Sequence, residues 1–226
     1  MPILIIATRN GHKVEEIRSI LGLRFTYRDL RDFPGAPKIV EDAPTFAGNA
    51  TRKSAGLARW LAARGHAEEL VVLADDSGLE VDALNGAPGV HSARFAALDS
   101  GHPGNSTDSE NNAKLLRLLK DVPADKRTAR FRCVLAWTPV ALPEPAASSP
   151  VCAADEFELR TSTFDGVCEG TIGFEPSGNG GFGYDPLFIP KGQVRTFAEL
   201  GDDVKNRISH RARALQLLKA TLSESY

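Results

Sequence analysis

Acidic residues at the end of an apolar run are the first feature of this sequence that points to chemistry. Leu70 to Ala74 reads as a short buried strand, and Asp75-Asp76-Ser77-Gly78 follows it directly. Two adjacent carboxylates in such a place are costly unless a cation or hydrogen-bond donors satisfy them. Consecutive side chains of a strand point to opposite faces. The pair must therefore divide its roles or the strand must bend, and a sharp break after Ala74 is expected. One metal ligand and one general base is a natural division; a turn-capping aspartate is the competing reading. Glu41-Asp42, in an irregular segment upstream, could complete an oxygen-rich magnesium site, because that ion takes one or two carboxylates with phosphate oxygens and water. Alone, that pair reads as a solvated loop.

Three further stretches offer groups for an anionic or aromatic ligand. Thr8-Arg9-Asn10-Gly11-His12-Lys13 lies between a predicted strand and a predicted helix, where free backbone N–H groups and the helix dipole favour an anion. Lys13 adds a point charge there, and Thr8 and Asn10 add polar contacts. The G-x-x-x-x-G-K-[ST] phosphate loop is absent, so a plain connection competes, and His12 alone reads as a surface histidine. Ser177 to Pro186 holds four glycines in its first seven positions, with Phe182 and Tyr184 on either side of Gly183. Glycines let backbone approach a ligand closely, one aromatic ring could stack on a base, and Asp185 could accept hydrogen bonds from it. A mobile hairpin loop is the bland alternative. Lys205, Ser209, His210 and Arg211 lie on a predicted terminal helix, with Lys205 and Ser209 on one face, and could hold phosphate or purine oxygens. The solvated face of a helix competes, since most charge runs are that.

The elements that must position these groups follow from periodicity. Ile3 to Ala7 reads as an opening strand, and Val14, Ile17 and Leu21 follow at helical spacing. Thr45 is placed to cap a helix carrying Phe46, Ala50, Lys53, Leu57 and Leu61, which Gly65 would end. Leu79 to Leu84 alternates like a strand and Asn85-Gly86 marks a turn. Thr107 to Glu110 has the capping-box pattern ahead of the run Leu115 to Leu119. Ala129 to Thr138 reads as a strand, residues 138–150 as a Pro/Ser-rich loop, and residues 156–173 as a strand pair. A last helix carries Val204, Ile208, Ala212, Leu215 and Leu222, with Val204, Ile208, Ala212 and Leu215 facing the core. Helices and strands alternate, which predicts an α/β fold with one mixed sheet.

Composition narrows the class. The 226 residues are 42% hydrophobic and 25% charged, as in ordinary globular proteins. A net charge of -2 argues against a protein that coats nucleic acid. Cys133, Cys152 and Cys168 form no C-x-x-C pair and suggest a reduced, cytoplasmic setting. Ile3 to Ala7 is too short for a signal peptide or a membrane span, so no membrane partner is expected.

The order and wording of the motifs carry more than any one of them. Ala7-Thr8-Arg9-Asn10 with Lys13, Thr45-Phe46 with Asn49, Ala74 to Leu79, Gly86 to Val90 with Ser92-Ala93-Arg94, Gly180 to Pro186, and Ile208 to Arg211 together resemble the inosine triphosphate pyrophosphatase family, which includes bacterial dITP/XTP pyrophosphatases. The matches run from about residue 3 to 218. The resemblance implies one elongated α/β domain over residues 1–226, a long mixed sheet flanked by helices, two lobes with the active cleft between them, and a homodimer. It implies magnesium-dependent cleavage of inosine and xanthosine triphosphates, a purine nucleoside triphosphate substrate class, between the α and β phosphates. By position, Asp76 matches the general base, and Glu41, Asp75 and Asp76 the acids around Mg2+. Thr8, Asn10 and Lys13 match the phosphate turn, and Lys53 and Ser77 further substrate contacts. Phe182 matches the base-stacking ring with Gly183, Tyr184 and Asp185 beside it, and Lys205, His210 and Arg211 match the groups that read the purine. Gly48 departs from the glutamate common in the family before Asn49. A Maf-type pyrophosphatase acting on pyrimidine or modified nucleotides, and a nucleotide-binding regulator, are the rival readings.

Overall fold

Branched apolar residues open the chain as strand β1 (Ile3–Ile6), and Leu4, Ile5 and Ile6 are fully buried. Asn10 caps helix α1 (Gly11–Leu21) by accepting a bond from the Lys13 backbone N–H, and Val14, Ile17 and Leu21 turn inward at the predicted spacing. Strand β2 (Thr26–Asp29) pairs with β1 in parallel. The Thr45 hydroxyl accepts from Gly48 N–H to start helix α2 (Phe46–Ala62). Gly65 sits in the turn just beyond it with φ +75°. Strand β3 (Leu70–Val81) then runs parallel to β1. The structure, a computed structural model, describes residues 1–66, 70–101, 104–140 and 160–224.

Strand β3 corrects one expectation. It continues unbroken through Asp75 and Asp76 to Val81, because each carboxylate finds a cation on its own side and neither has to escape to solvent. The predicted strand to Leu84 stops at Val81 instead; Asp82–Leu84 is a 3-10 turn, and Asn85 and Gly86 follow with positive φ.

The chain continues with α3 (Ala97–Ser100), α4 (Asp108–Leu118), β4 (Thr128–Pro139), β5 (Ser162–Ile172), β6 (Phe188–Pro190), α5 (Phe197–Leu200), α6 (Asp202–Ile208) and α7 (His210–Glu224). Thr107 and Glu110 form the predicted capping box of α4. Of the predicted strand pair at 156–173, residues 162–172 form one strand, and 156–159 lie outside the described residues, as do Cys152 and most of the Pro/Ser-rich stretch. The predicted single terminal helix is two helices. Ser209 takes an extended conformation between them (ψ 165°) and its hydroxyl caps α7 by accepting from Ala212 N–H at 3.2 Å. The inward face of α6 also differs from expectation: Lys205 is buried, and Val204 and Ile208 are half-buried.

The six strands lie in the order β2-β1-β3-β4-β5-β6. With β1 parallel to both neighbours and β5 antiparallel to β6, the sheet is mixed. The chain divides into two compact units. Unit 1 holds Met1–Asp76, Val134–Phe164 and Leu218–Tyr226; unit 2 holds Ser77–Cys133 and Asp165–Leu217. Unit 2 has its own core, built on Leu79, Val81, Leu115, Phe131, Phe188 and Phe197 among others. Within it α7 lies against β5 at Gly166, where an added Cβ would stand 2.1 Å from the His210 carbonyl oxygen and 2.5 Å from Ala214 N. Those neighbours are helix backbone, which cannot step aside as a side chain can. Gly166→Val is expected to cost about 3 kcal/mol or more, a fall of roughly 6–12 °C in thermal midpoint for a chain of this size, read by calorimetry. A change under about 2 °C would show that this contact is not held.

Candidate active site

In unit 1, helical spacing sets the first group of side chains. Asn49 and Lys53 are one turn apart on α2 and face the same way. The Lys53 ammonium donates to Glu41 Oε2 and Asp76 Oδ1, each at 3.1 Å, and to the Asp75 carbonyl at 2.8 Å. Asn49 is buried; its amide donates to Asp76 Oδ2 at 3.2 Å, while its Oδ1 accepts from Ala43 N–H at 2.9 Å. Asp75 turns to the other side of β3 and pairs with Lys13, its carboxylate wholly enclosed. The two aspartates thus divide as the strand geometry requires: Asp76 joins Glu41 on Lys53, and Asp75 holds Lys13. Thr8 and Asn10 shape the turn before α1, with Thr8 Oγ1 accepting from Asn10 N–H and Asn10 Oδ1 from Lys13 N–H.

Burial and charge oppose each other here. Burial raises the Asp76 carboxyl above the usual carboxylate range, more than Lys53 and Lys13 lower it. Burial alone would lower Lys53, yet the carboxylates of Asp76, Glu41 and Asp75 together hold its ammonium above the ordinary lysine value. Lys53 therefore stays charged, and Asp76 is a stronger base than an exposed aspartate.

In unit 2 the second group gathers around Phe182. The Lys205 ammonium, 1% exposed as a residue, lies 4.2 Å from the Phe182 ring centre and bonds Asp185 Oδ2 at 2.5 Å. The same carboxylate oxygen accepts from Phe182 N–H at 2.8 Å. Arg211, also 1% exposed, lies 5.8 Å from the ring centre and donates to Ser77 Oγ at 3.0 Å. His210 is buried with its ring stacked on Phe131, centroids 4.8 Å apart. Lys205, His210 and Arg211 are thus enclosed rather than set on a solvated face. Tyr184 is buried with its hydroxyl bonded to the Ser92 carbonyl at 2.8 Å, so its ring anchors the loop and leaves stacking to the half-buried Phe182. Asp185 serves Lys205 and the Phe182 backbone. Gly181 is required beside it: φ is +72°, and a Cβ would come 2.2 Å from Asp185 Oδ2.

Comparison with known proteins places this arrangement. The model of the Ham1 family matches residues 4–221. The chain belongs to the Ham1 family. It is 46% identical over 224 residues to a protein of Desulforamulus reducens named dITP/XTP pyrophosphatase, covering 99% of this chain and 96% of that one. It is 46% identical over 217 residues to one of the same name from Geobacter sulfurreducens, covering 96% and 94%. Among solved structures, a HAM1 protein from Coxiella burnetii aligns with a TM-score of 0.76 at 36% identity over 99% of this chain and all of the other. The Staphylococcus aureus Ham1 protein aligns with the same score at 32% identity and the same coverage.

Within this Ham1 chain the donor set can be asked whether it suits magnesium. Among the described residues no three His, Cys, Asp or Glu side chains converge to hold a metal by themselves. Two carboxylates, Glu41 and Asp76, do converge on one ammonium, which matches an ion that takes one or two carboxylates and fills its shell with phosphate and water. The set fits. Asn49 is a member of this group beyond the residues the sequence marks as site candidates; its i, i+4 relation to Lys53 is the signal that points to it. The departure at Gly48 also has a local reason, since a Cβ there would come 2.8 Å from Ala43 Cβ.

Lys53→Met removes the charge that Asp76 and Glu41 share. Breaking a buried pair from one side costs about 3 kcal/mol or more. The sign with pH follows from the raised Asp76 carboxyl: stability is greatest below the unfolded carboxylate value and is lost as pH rises through the folded one. Losing Lys53 raises the folded value further. The Lys53→Met deficit in metal-free denaturant titrations is therefore expected to be larger at pH 7 than at pH 4.5; an equal or reversed deficit would contradict the pairing.

Proposed function

We propose that this Ham1-family chain hydrolyses inosine- and xanthosine-type purine nucleoside triphosphates to the monophosphate and pyrophosphate, with magnesium as cofactor. The names of the relatives support the reaction and the substrate class. The observation that carries the reading is the meeting of Glu41 and Asp76 on Lys53, with Lys13 held beside them by Asp75. A plain anion binder gains nothing from acids set beside its lysines.

Each residue has a step it can perform. Lys13, Lys53 and the turn at Thr8 and Asn10 bind the polyphosphate. Glu41 and Asp76 would hold the magnesium, which when bound neutralises phosphate charge and polarises the phosphoryl group. Asp76 takes the proton of a water attacking the α phosphorus. The α–β bridging bond breaks, and pyrophosphate leaves with its electron pair, so no covalent intermediate on the protein is needed. Phe182 supplies a stacking face, and Lys205, His210 and Arg211 supply donors suited to the oxo group at the purine six position. Adenine presents an amino group there, which leaves those donors unpaired and is rejected. The homodimer implied by the family resemblance and the cytoplasmic setting suggested by the cysteines belong to this proposal. No helix among the described residues is long and apolar enough to cross a membrane.

Pyrophosphate release from inosine, deoxyinosine, xanthosine, adenosine and uridine triphosphates, with and without magnesium, tests the reading. Inosine and xanthosine substrates are expected to exceed adenosine by about 10²-fold or more in kcat/KM. Turnover should need the divalent ion, and Asp76→Asn should cut kcat by about 10²–10⁴-fold. Equal turnover of inosine and adenosine triphosphates would refute the base-reading assignment, and preference for uridine triphosphate would favour the Maf-type alternative.

A further inference from the structure

Phe182 stands on a loop whose conformation must be held by something other than its glycines. The loop is open on one side: it borders a cavity of about 440 Å³ that also touches Ser109 and Leu116 of α4. Across that side, α4 makes two hydrogen bonds to one residue. Asp108 Oδ2 accepts from Gly183 N–H at 2.6 Å, and the Asn112 amide donates to the Gly183 carbonyl at 3.0 Å. Asp108 and Asn112 are one turn apart, so a single face of α4 grips both backbone polar groups of Gly183, the residue that follows Phe182. Gly183 has φ +64° with open space where a Cβ would lie. The local constraint is therefore backbone conformation rather than crowding.

The neighbouring Asn111 makes the same kind of grip elsewhere. Its Oδ1 accepts from Ala96 N–H at 2.9 Å and its amide donates to the Ala93 carbonyl at 3.4 Å. Ser92, one residue before Ala93, accepts from the Tyr184 hydroxyl through its carbonyl and from Leu79 N–H through its side chain. Asn112 thus holds the loop at Gly183, and Asn111 holds the 93–96 segment next to Ser92, the residue that anchors Tyr184. Asn112 does so at a cost, since among the described residues nothing bonds its buried Oδ1.

We infer that Asp108 and Asn112 are positioning residues for base recognition: their clamp on Gly183 sets the plane of the Phe182 ring beneath the Lys205 and Arg211 cations. The inference rests on the proposed nucleotide reading of Phe182. It places affinity for the base, and not the phosphate chemistry of Asp76, under the control of α4.

Steady-state kinetics on inosine triphosphate with magnesium, run beside thermal melts, tests it. Asn112→Ala should raise KM by about five- to tenfold, the loss of one hydrogen bond, with kcat within about twofold. Its thermal midpoint should stay within about 2 °C of the parent, because the lost bond is offset by removal of the unpaired oxygen. Asp108→Ala should shift KM the same way, while Asp108→Asn keeps an acceptor and should restore the parental KM. An unchanged KM in Asn112→Ala would overturn the clamp alone. So would a fall in kcat that tracks a fall in thermal midpoint, or a failure of Asp108→Asn to rescue. A parent chain with no inosine triphosphate turnover would overturn the nucleotide reading and the clamp together.

Discussion

One buried ammonium organises unit 1. Lys53 collects a carboxylate from the irregular segment before α2, a carboxylate from β3 and a carbonyl from the same strand. Each oxygen offsets part of the desolvation of the ammonium, and the ammonium in turn makes two nearby acids tolerable. Remove it, and the buried Asp76 carboxylate loses its cation and faces Glu41 unscreened by it. The continuity of β3 depends on this neutralisation at Asp76 and on that by Lys13 at Asp75, since a strand cannot carry two unpaired buried carboxylates. The reactive arrangement is thus also a structural one.

Unit 2 repeats the device with different ends. Asp185 neutralises Lys205, and the pair holds the ammonium over the Phe182 ring. In unit 1 the cation gathers acids; in unit 2 the acid orients a cation and a backbone N–H. The first suits a divalent ion and phosphate, and the second an uncharged ring bearing acceptor atoms.

Much of this was legible in the sequence because it depends on local spacing. The Thr45 cap, the capping box at Thr107, and the inward stripe Val14, Ile17 and Leu21 come from patterns within a few residues. Asp75 and Asp76 stand out because carboxylates beside an apolar run demand partners, whereas Lys53 enters through the family resemblance. What failed did so through tertiary context. The break expected at Asp75 assumed no cation waiting on either face. The single terminal helix assumed that Ser209 would propagate a helix rather than cap one. Lys205 looked solvated because its partner Asp185 lies twenty residues earlier, beyond any periodic signal. Tyr184 and Phe182 are indistinguishable in a glycine-rich string, and only packing against Ser92 places Tyr184 in the core while Phe182 stays half-buried.

The direct test of the Lys53 junction is the titration of Asp76 itself. Carbon-13 NMR of the aspartate carboxyls in metal-free protein, with Asp76 assigned by substitution, reads its protonation in the parent and in Lys53→Met. If Lys53 holds the cluster, Asp76 titrates above the ordinary carboxylate range in the parent and higher still without the lysine. An ordinary value in the parent, or one that does not move when Lys53 is removed, would mean that the acids are not joined through that ammonium.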